Sequence, residues 1–227
     1  MRARLALVAA LVGGVLPLLP APAHAAGGVM QPGDVISTST GGCTLNFLFD
    51  GIGANAGKVY FATAAHCVSS IGQDVFNGAN QAFGDVAYIG NAASTGTDFA
   101  FIQVRAGFAV SPAVKGWPQY PTGSTVSTQT TAGDQIQQSG YGTSFSFTKP
   151  TQEQRKGVLV SDTATVWRFA GAMDFGDSGG PLVHIPTGKA LGIESRVCIG
   201  ACTDEGPTIE GVLGQTATPF PVALRTV

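Results

Sequence analysis

Charge is scarce in this chain of 227 residues: Asp, Glu, Lys and Arg make up only 11%, and the net charge at neutral pH is −2. No basic field exists that would hold a nucleic-acid backbone, so that class of partner is excluded. Disorder is excluded as well, because 44% of residues are hydrophobic and the net charge is small. Histidine occurs three times and cysteine four times, with no paired CxxC, so a zinc centre lacks its ligands. No metal or organic cofactor is implied. Amphipathic helical patterns are also missing. What is abundant is glycine, with 32 copies, and proline, with 13. That balance points to an all-β protein of many short strands joined by turns.

Only one long hydrophobic run is present, and it lies at the N-terminus. Arg2 and Arg4 precede an apolar stretch from Leu5 to Leu19, and Pro20, Pro22 and Ala23-His24-Ala25 follow. A positive start, a short apolar core and a small-x-small end describe a secretory signal over residues 1–25. Gly13, Gly14 and Pro17 make the run a poor membrane anchor. The mature chain is therefore expected to begin near Ala26, to be secreted, and to have no membrane association once the signal is removed. Four cysteines in an exported chain suggest two disulfides. Three pairings are open, and nearness in sequence favours Cys43–Cys67 and Cys198–Cys202.

Strand patterns divide the mature chain, residues 26–227, into two parts. Residues 43–49, 58–63, 85–89 and 99–104 read as strands of an N-terminal barrel covering about 26–112. Residues 109–124 carry three prolines and read as a linker. Further strands are expected at 125–130, 133–141, 156–166, 180–185, 189–197 and 208–216, in a C-terminal barrel of about 120–227. A short helical turn is expected at 221–225.

The chemistry concentrates in three places. Gly176-Asp177-Ser178-Gly179-Gly180-Pro181 sets a serine on a glycine-flanked turn whose N–H groups can face an oxyanion. A serine nucleophile needs a base, most often histidine. His66, at the end of the apolar strand in Thr63-Ala64-Ala65-His66-Cys67, is the candidate. His184 lies on a strand leading away from Ser178 and reads as a structural side chain. The third member is a carboxylate that orients the imidazole. Asp98 fits, because it stands where the polar stretch 94–97 meets the apolar run Phe99-Ala100-Phe101-Ile102. Asp85 is the runner-up, Asp74 is weaker, and Asp50 and Asp34 look like turn residues.

Taken together, TAAHC at 63–67, DFAFI at 98–102 and GDSGGP at 176–181 resemble the chymotrypsin-like serine peptidase family. The stretch from Gly33 to Val68 is similar to small secreted actinobacterial members of it. The resemblance implies two antiparallel six-stranded β-barrels with the site in the cleft between them. It implies that His66 is the base, Asp98 its partner and Ser178 the nucleophile, with the N–H groups of Gly176 and Ser178 as the oxyanion hole. Ser195 matches the serine that bonds the triad aspartate, and Cys43–Cys67 matches a disulfide bracketing the histidine loop. The substrate would be a polypeptide and the enzyme a monomer.

Two departures from the animal digestive enzymes matter. No Ile-Val-Gly-Gly-like N-terminus is available to pair with Asp177, so an internal arginine, Arg155 or Arg168, is expected to do so. The position six before the nucleophile is Ala172, not the aspartate of enzymes that cut after Lys or Arg. The pocket is expected among Ala172, Met173, Asp174, Phe175, Glu194, Ser195 and Arg196. Asp174 and Glu194 favour a basic substrate side chain, while Ala172, Met173 and Phe175 favour an apolar one; the sequence leaves both open. Two other functions compete: a catalytically silent relative that binds protein, and an α/β-hydrolase esterase read from GxSxG.

Overall fold

The computed structural model describes residues 28–142, 153–171, 173–200 and 202–227. The expected signal at 1–25 and the pocket residue Ala172 lie outside the described residues.

Apolar runs in this chain become strands buried on both faces. Val59–Thr63 is the plainest case. It is a five-residue strand in which every residue after the first is buried. Phe61 points into one cluster with Leu48, Val86 and Ile102. Tyr60 and Ala62, on the opposite face, join a second cluster with Phe49, Phe101, Val183, Ile193 and Val212. The strand thus lines the first barrel's interior and also the seam against the second half of the chain.

Seven strands come from the first half: β1 (Val35–Thr38), β2 (Gly41–Thr44), β3 (Leu48–Gly51), β4 (Val59–Thr63), β5 (Asp74–Asn77), β6 (Ala82–Ile89) and β7 (Ala100–Val104). Six more follow: β8 (Gln135–Gly140), β9 (Glu153–Asp162), β10 (Val166–Ala170), β11 (Pro181–His184), β12 (Lys189–Ile193) and β13 (Asp204–Pro207). Helix α1 (Ile209–Thr216) and strand β14 (Val222–Leu224) complete the chain. The first sheet runs β14-β3-β4-β7-β6-β5-β1-β2 and the second β12-β11-β8-β9-β10-β13. All pairings between strands are antiparallel. The fold is thus the expected all-β, two-sheet architecture of the chymotrypsin-like class. A third cluster, with Ile136, Trp167, Phe169 and Leu182, fills the second sheet.

Several elements differ from the sequence expectation. The first sheet has eight strands, not six: the first half of the chain supplies seven, and β14 returns from the far end and pairs Leu224 with Phe49. The stretch 221–225, expected to be helical, is this strand, and Arg225 pairs with Asp50 beside it. The strand expected over 43–49 is broken at residues 45–47; there Asn46 N donates to Ala62 O (2.7 Å) and Ala62 N to Phe47 O (3.1 Å), while the Asn46 side chain bonds across the seam. The one expected at 125–130 contains only a 3-10 turn, Ser127–Gln129, whose first N–H donates to Glu210 (2.7 Å). The stretch 156–166 contains a turn between β9 and β10. There the Thr163 hydroxyl accepts from Val166 N at 3.0 Å.

The largest correction is 208–216, which is helix and not strand. Ile209, Val212 and Thr216 are buried at helical spacing, and the Thr208 hydroxyl accepts from Gly211 N at 3.0 Å. That hydroxyl also donates to Ala164 O at 2.6 Å, tying the helix start to the β9–β10 turn. Thr208→Ala is expected to lower stability by about 1–2 kcal/mol, as loss of a buried cap does. The check is urea unfolding, with a lower midpoint and an unchanged slope.

Candidate active site

Strand register brings His66 and Asp98 together. β4 and β7 pair Thr63 with Ala100. His66 lies three residues past Thr63, and Asp98 two residues before Ala100. Because the strands are antiparallel, both leave the sheet at the same edge. His66 sits on a 3-10 turn, Ala65–Cys67, between buried Ala65 and Cys67. Asp98 ends another, Thr95–Thr97, just before β7.

Asp98 is 1% exposed and has a defined partner for each oxygen. Oδ1 accepts from the His66 backbone N–H at 3.0 Å, and Oδ2 meets His66 Nδ1 at 2.8 Å. The Ser195 hydroxyl also donates to Oδ2. Burial pushes the Asp98 carboxyl up, but the hydrogen bonds from His66 and Ser195, with the charge of His66, together hold it below the ordinary carboxylate range. An ionised Asp98 keeps the proton of neutral His66 on Nδ1 and leaves Nε2 as an acceptor. The His66 side chain is 39% exposed, so that nitrogen faces the cleft.

The serine turn is built by backbone and clasped from the first sheet. Gly176 has φ +102°, and a Cβ there would fall 2.7 Å from Tyr141 O. Gly179 has φ +92°, and its Cβ would collide with Thr63 and with Thr44 O. Within the turn, Asp177 N donates to Asp174 O (3.0 Å) and Gly180 N to Asp177 O (2.7 Å). Thr44 N donates to Ser178 O and the Thr44 hydroxyl to Gly176 O, both at 2.8 Å. Asn46 Nδ2 lies within bonding distance of Gly179 O (3.0 Å) and Gly180 O (2.8 Å). Cys67 Sγ lies 3.7 Å from Ser178 O, so the serine turn abuts the His66 turn. Among the described residues, nothing accepts from the N–H groups of Gly176 and Ser178, whereas those of Asp177, Gly179 and Gly180 are all taken. Two neighbouring donors are thus left beside the Ser178 side chain.

Asp177 is fully buried and pairs with Arg155 of β9. Of the two arginines the sequence offered, Arg168 goes elsewhere, 3.4 Å from Glu205. Asp177 Oδ2 also accepts from Asp174 N at 2.9 Å, so one carboxylate braces the start of the turn. Burial pushes its carboxyl up to about 6, against the lowering pull of Arg155 and of the Asp174 N–H. An unfolded aspartate titrates near 3.9, so the folded chain holds this proton more tightly. Its contribution to stability therefore declines as pH rises from about 4 to about 6.

Around the turn, Phe175 is 56% exposed and Met173 leans on the third apolar cluster. Asp174 Oδ1 accepts from Phe175 N at 2.7 Å. Arg196 donates to Ala93 O at 3.1 Å and lies 3.7 Å from Glu205. Glu194 is fully buried, and neither of its oxygens has a partner among the described residues. The other acids considered from sequence are engaged away from His66. Asp85 and Asp74 share Arg105, Asp34 pairs with Lys115, and Asp50 with Arg225. His184 is buried between Asp134 (2.9 Å) and Thr187 (2.8 Å). Sequence reasoning missed Asp204, which is 4% exposed and accepts from Cys198 N at 2.7 Å. Thr203-Asp204-Glu205-Gly206 carries no local signal that marks it, and only its strand pairing places it inside.

Both disulfides join the cysteines nearest in sequence, Cys43–Cys67 and Cys198–Cys202. Cys43, His66 and Cys67 lie close enough to suggest a metal site. Their chemistry does not fit one, because the two sulfurs are bonded to each other and His66 Nδ1 is held by Asp98.

A histidine–aspartate pair beside a clasped serine turn, between two antiparallel sheets, defines the serine-peptidase class of cleft. The sequence profile of the trypsin family matches residues 50–212, and the chain belongs to that family of chymotrypsin-like serine proteases. Among solved structures, it resembles Thermobifida fusca protease A at 20% identity and a TM-score of 0.64, covering 88% of this chain and 100% of that one. It also resembles Cellulomonas bogoriensis chymotrypsin at 19% identity and a TM-score of 0.62, covering 87% of this chain and 100% of that one. A Nocardiopsis protease matches at 20% identity and a TM-score of 0.61, covering 88% and 100%. No curated protein matches the sequence. Among the described residues, no helix is long and apolar enough to cross a membrane.

Arg155→Met removes a charge that lowers the Asp177 pKa, so Asp177 should protonate at a higher pH. The acid limb of Ser178 acylation is expected to move upward in that variant, read from the pH dependence of the acylation rate. An unchanged limb would show that ionisation of Asp177 does not govern the turn.

Proposed function

We propose that the protein is a secreted, monomeric serine endopeptidase that hydrolyses peptide bonds through an acyl-enzyme. Its signal occupies 1–25 and its peptidase domain 26–227. The observation that carries this reading is the pairing of buried Asp98 with His66 Nδ1, next to a serine turn that keeps two N–H groups unspent. Ser178 Oγ attacks the scissile carbonyl carbon as its proton passes to His66 Nε2. The carbonyl oxygen, now negative, is met by the N–H groups of Gly176 and Ser178. His66 then gives the proton to the leaving amine, the C–N bond breaks, and an ester joins the acyl group to Ser178. Water repeats the sequence and releases the acid. Asp98 stabilises the imidazolium formed in each half without taking a proton itself. No cofactor or metal has a part in these steps.

The competing readings fit less well. A silent binding relative has no need of an ionised, buried Asp98 aimed at a histidine. An α/β-hydrolase esterase requires a parallel sheet flanked by helices, and both sheets here are antiparallel.

Treatment of the purified protein with a fluorophosphonate probe, followed by peptide mapping, tests the assignment. Labelling is expected at Ser178 and should vanish in Ser178→Ala; a folded protein that takes no label would overturn the proposal. Asp98→Asn is expected to lower kcat by about 10⁴-fold through the wrong histidine tautomer. Turnover near that of the native protein would remove Asp98 from its role.

A further inference from the structure

Two buried acids meet at the side of the serine turn, and the peptidase mechanism uses neither. Asp204, on β13, accepts from the backbone N–H of Met173 and from that of Cys198. Met173 belongs to the stretch that leads into Ser178, and Cys198 to the stretch that follows Ser195. One carboxyl therefore joins the two chain segments that flank the nucleophile.

Glu194 completes the pair from the opposite side. Its backbone is bonded to the serine turn itself: Gly179 N donates to Glu194 O at 2.7 Å and Glu194 N to Gly180 O at 2.9 Å. Its carboxyl carbon lies 3.2 Å from where a Cβ on Gly180 would stand. The residue is 0% exposed and both oxygens are unpartnered among the described residues. Burial pushes its carboxyl well up, and the nearby charges of Asp177 and Asp204 push the same way. Among the described residues, the cation acting on Glu194 is Arg155, already engaged by Asp177 and Glu153. Buried acid thus outnumbers buried base beside the reacting serine, an arrangement that burial alone disfavours.

The apolar alternative loses its side chains on inspection. Phe175 stands out in solvent, and Met173 packs toward Ile136, Leu159 and their neighbours. Arg196, which would favour an acidic substrate, is turned to Ala93 O and Glu205.

We propose that the pocket beside Ser178 is acidic and takes a Lys or Arg side chain, with Asp204 supplying the charge and Glu194 the free acceptor oxygens. The inference rests on the peptidase reading and names the substrate class of that same cleft. It replaces the aspartate missing at Ala172 with acids reached from two other strands. Cleavage then follows basic residues, while acidic side chains are repelled and apolar ones leave the Glu194 oxygens unpartnered and Asp204 without a cation.

The test is a set of peptides that differ only in the residue before the scissile bond, with active enzyme counted by fluorophosphonate labelling of Ser178. For the native protein, kcat/KM is expected to be about 100-fold or more higher for Lys and Arg than for Phe, Leu or Glu. Benzamidine, a small amidinium cation, should compete with those substrates. Asp204→Asn is expected to erase the preference mainly through KM, and Glu194→Gln to reduce it. If neither variant folds, the native preference and the benzamidine competition decide. Normal labelling with cleavage after Phe, Leu or Glu would overturn the acidic pocket and leave the peptidase reading intact. Absence of labelling would overturn the peptidase reading, and the pocket with it.

Discussion

The cleft depends on the bonds that cross the seam between the two sheets. Thr44 and Asn46, both from the first half of the chain, hold the carbonyls of Gly176, Ser178, Gly179 and Gly180. Without Asn46 the carbonyl of buried Gly179 would lose its partner, at a cost of about 1–3 kcal/mol, whereas Gly180 O also accepts from Glu194 N. Satisfying these carbonyls from across the seam fixes the distance between the serine turn and the histidine turn. The N–H groups of Gly176 and Ser178 stay without an acceptor among the described residues, while the carbonyls of the same two residues are held.

The scarcity of charge gives each buried charge a specific place. Asp98 receives hydrogen bonds from both halves of the molecule, His66 from one and Ser195 from the other. Asp177 is braced by Arg155, an internal cation that does the work other family members assign to a new N-terminal ammonium. The partner of Asp177 is thus a residue of the second sheet. Asp98 and Asp177, at 1% and 0% exposure, bring the carboxylate end of each pairing out of water. The attraction within each pairing is stronger there than at the surface.

Much of the site was legible in local sequence because its chemistry is local. The histidine follows an apolar strand, the aspartate precedes one, and the serine lies between glycines whose backbone angles no other residue adopts easily. Disulfide partners four and 24 residues apart were readable from nearness. Strand existence followed from apolar runs such as 58–63 and 99–104, which have no other compact way to be buried.

What the sequence alone determined, then, is the family and the partnership of His66 with Asp98, since these reside in short motifs with a fixed order. The tertiary structure decided the rest. Residues 208–216 have an apolar spacing that served strand or helix, and the Thr208 cap with burial against the seam selected helix. Residues 221–225 became a strand because Leu48–Gly51 offered an open edge. Arg155 and Arg168 were equal candidates until the strand pairing of β9 turned one inward and left the other at 48% exposure. Asp204 drew no reading from the sequence, and it is the pairing of β13 with β10 that carries it inside. In each case the deciding partner is far away in sequence, and a side chain's neighbours across a sheet are set by register, which no local pattern contains.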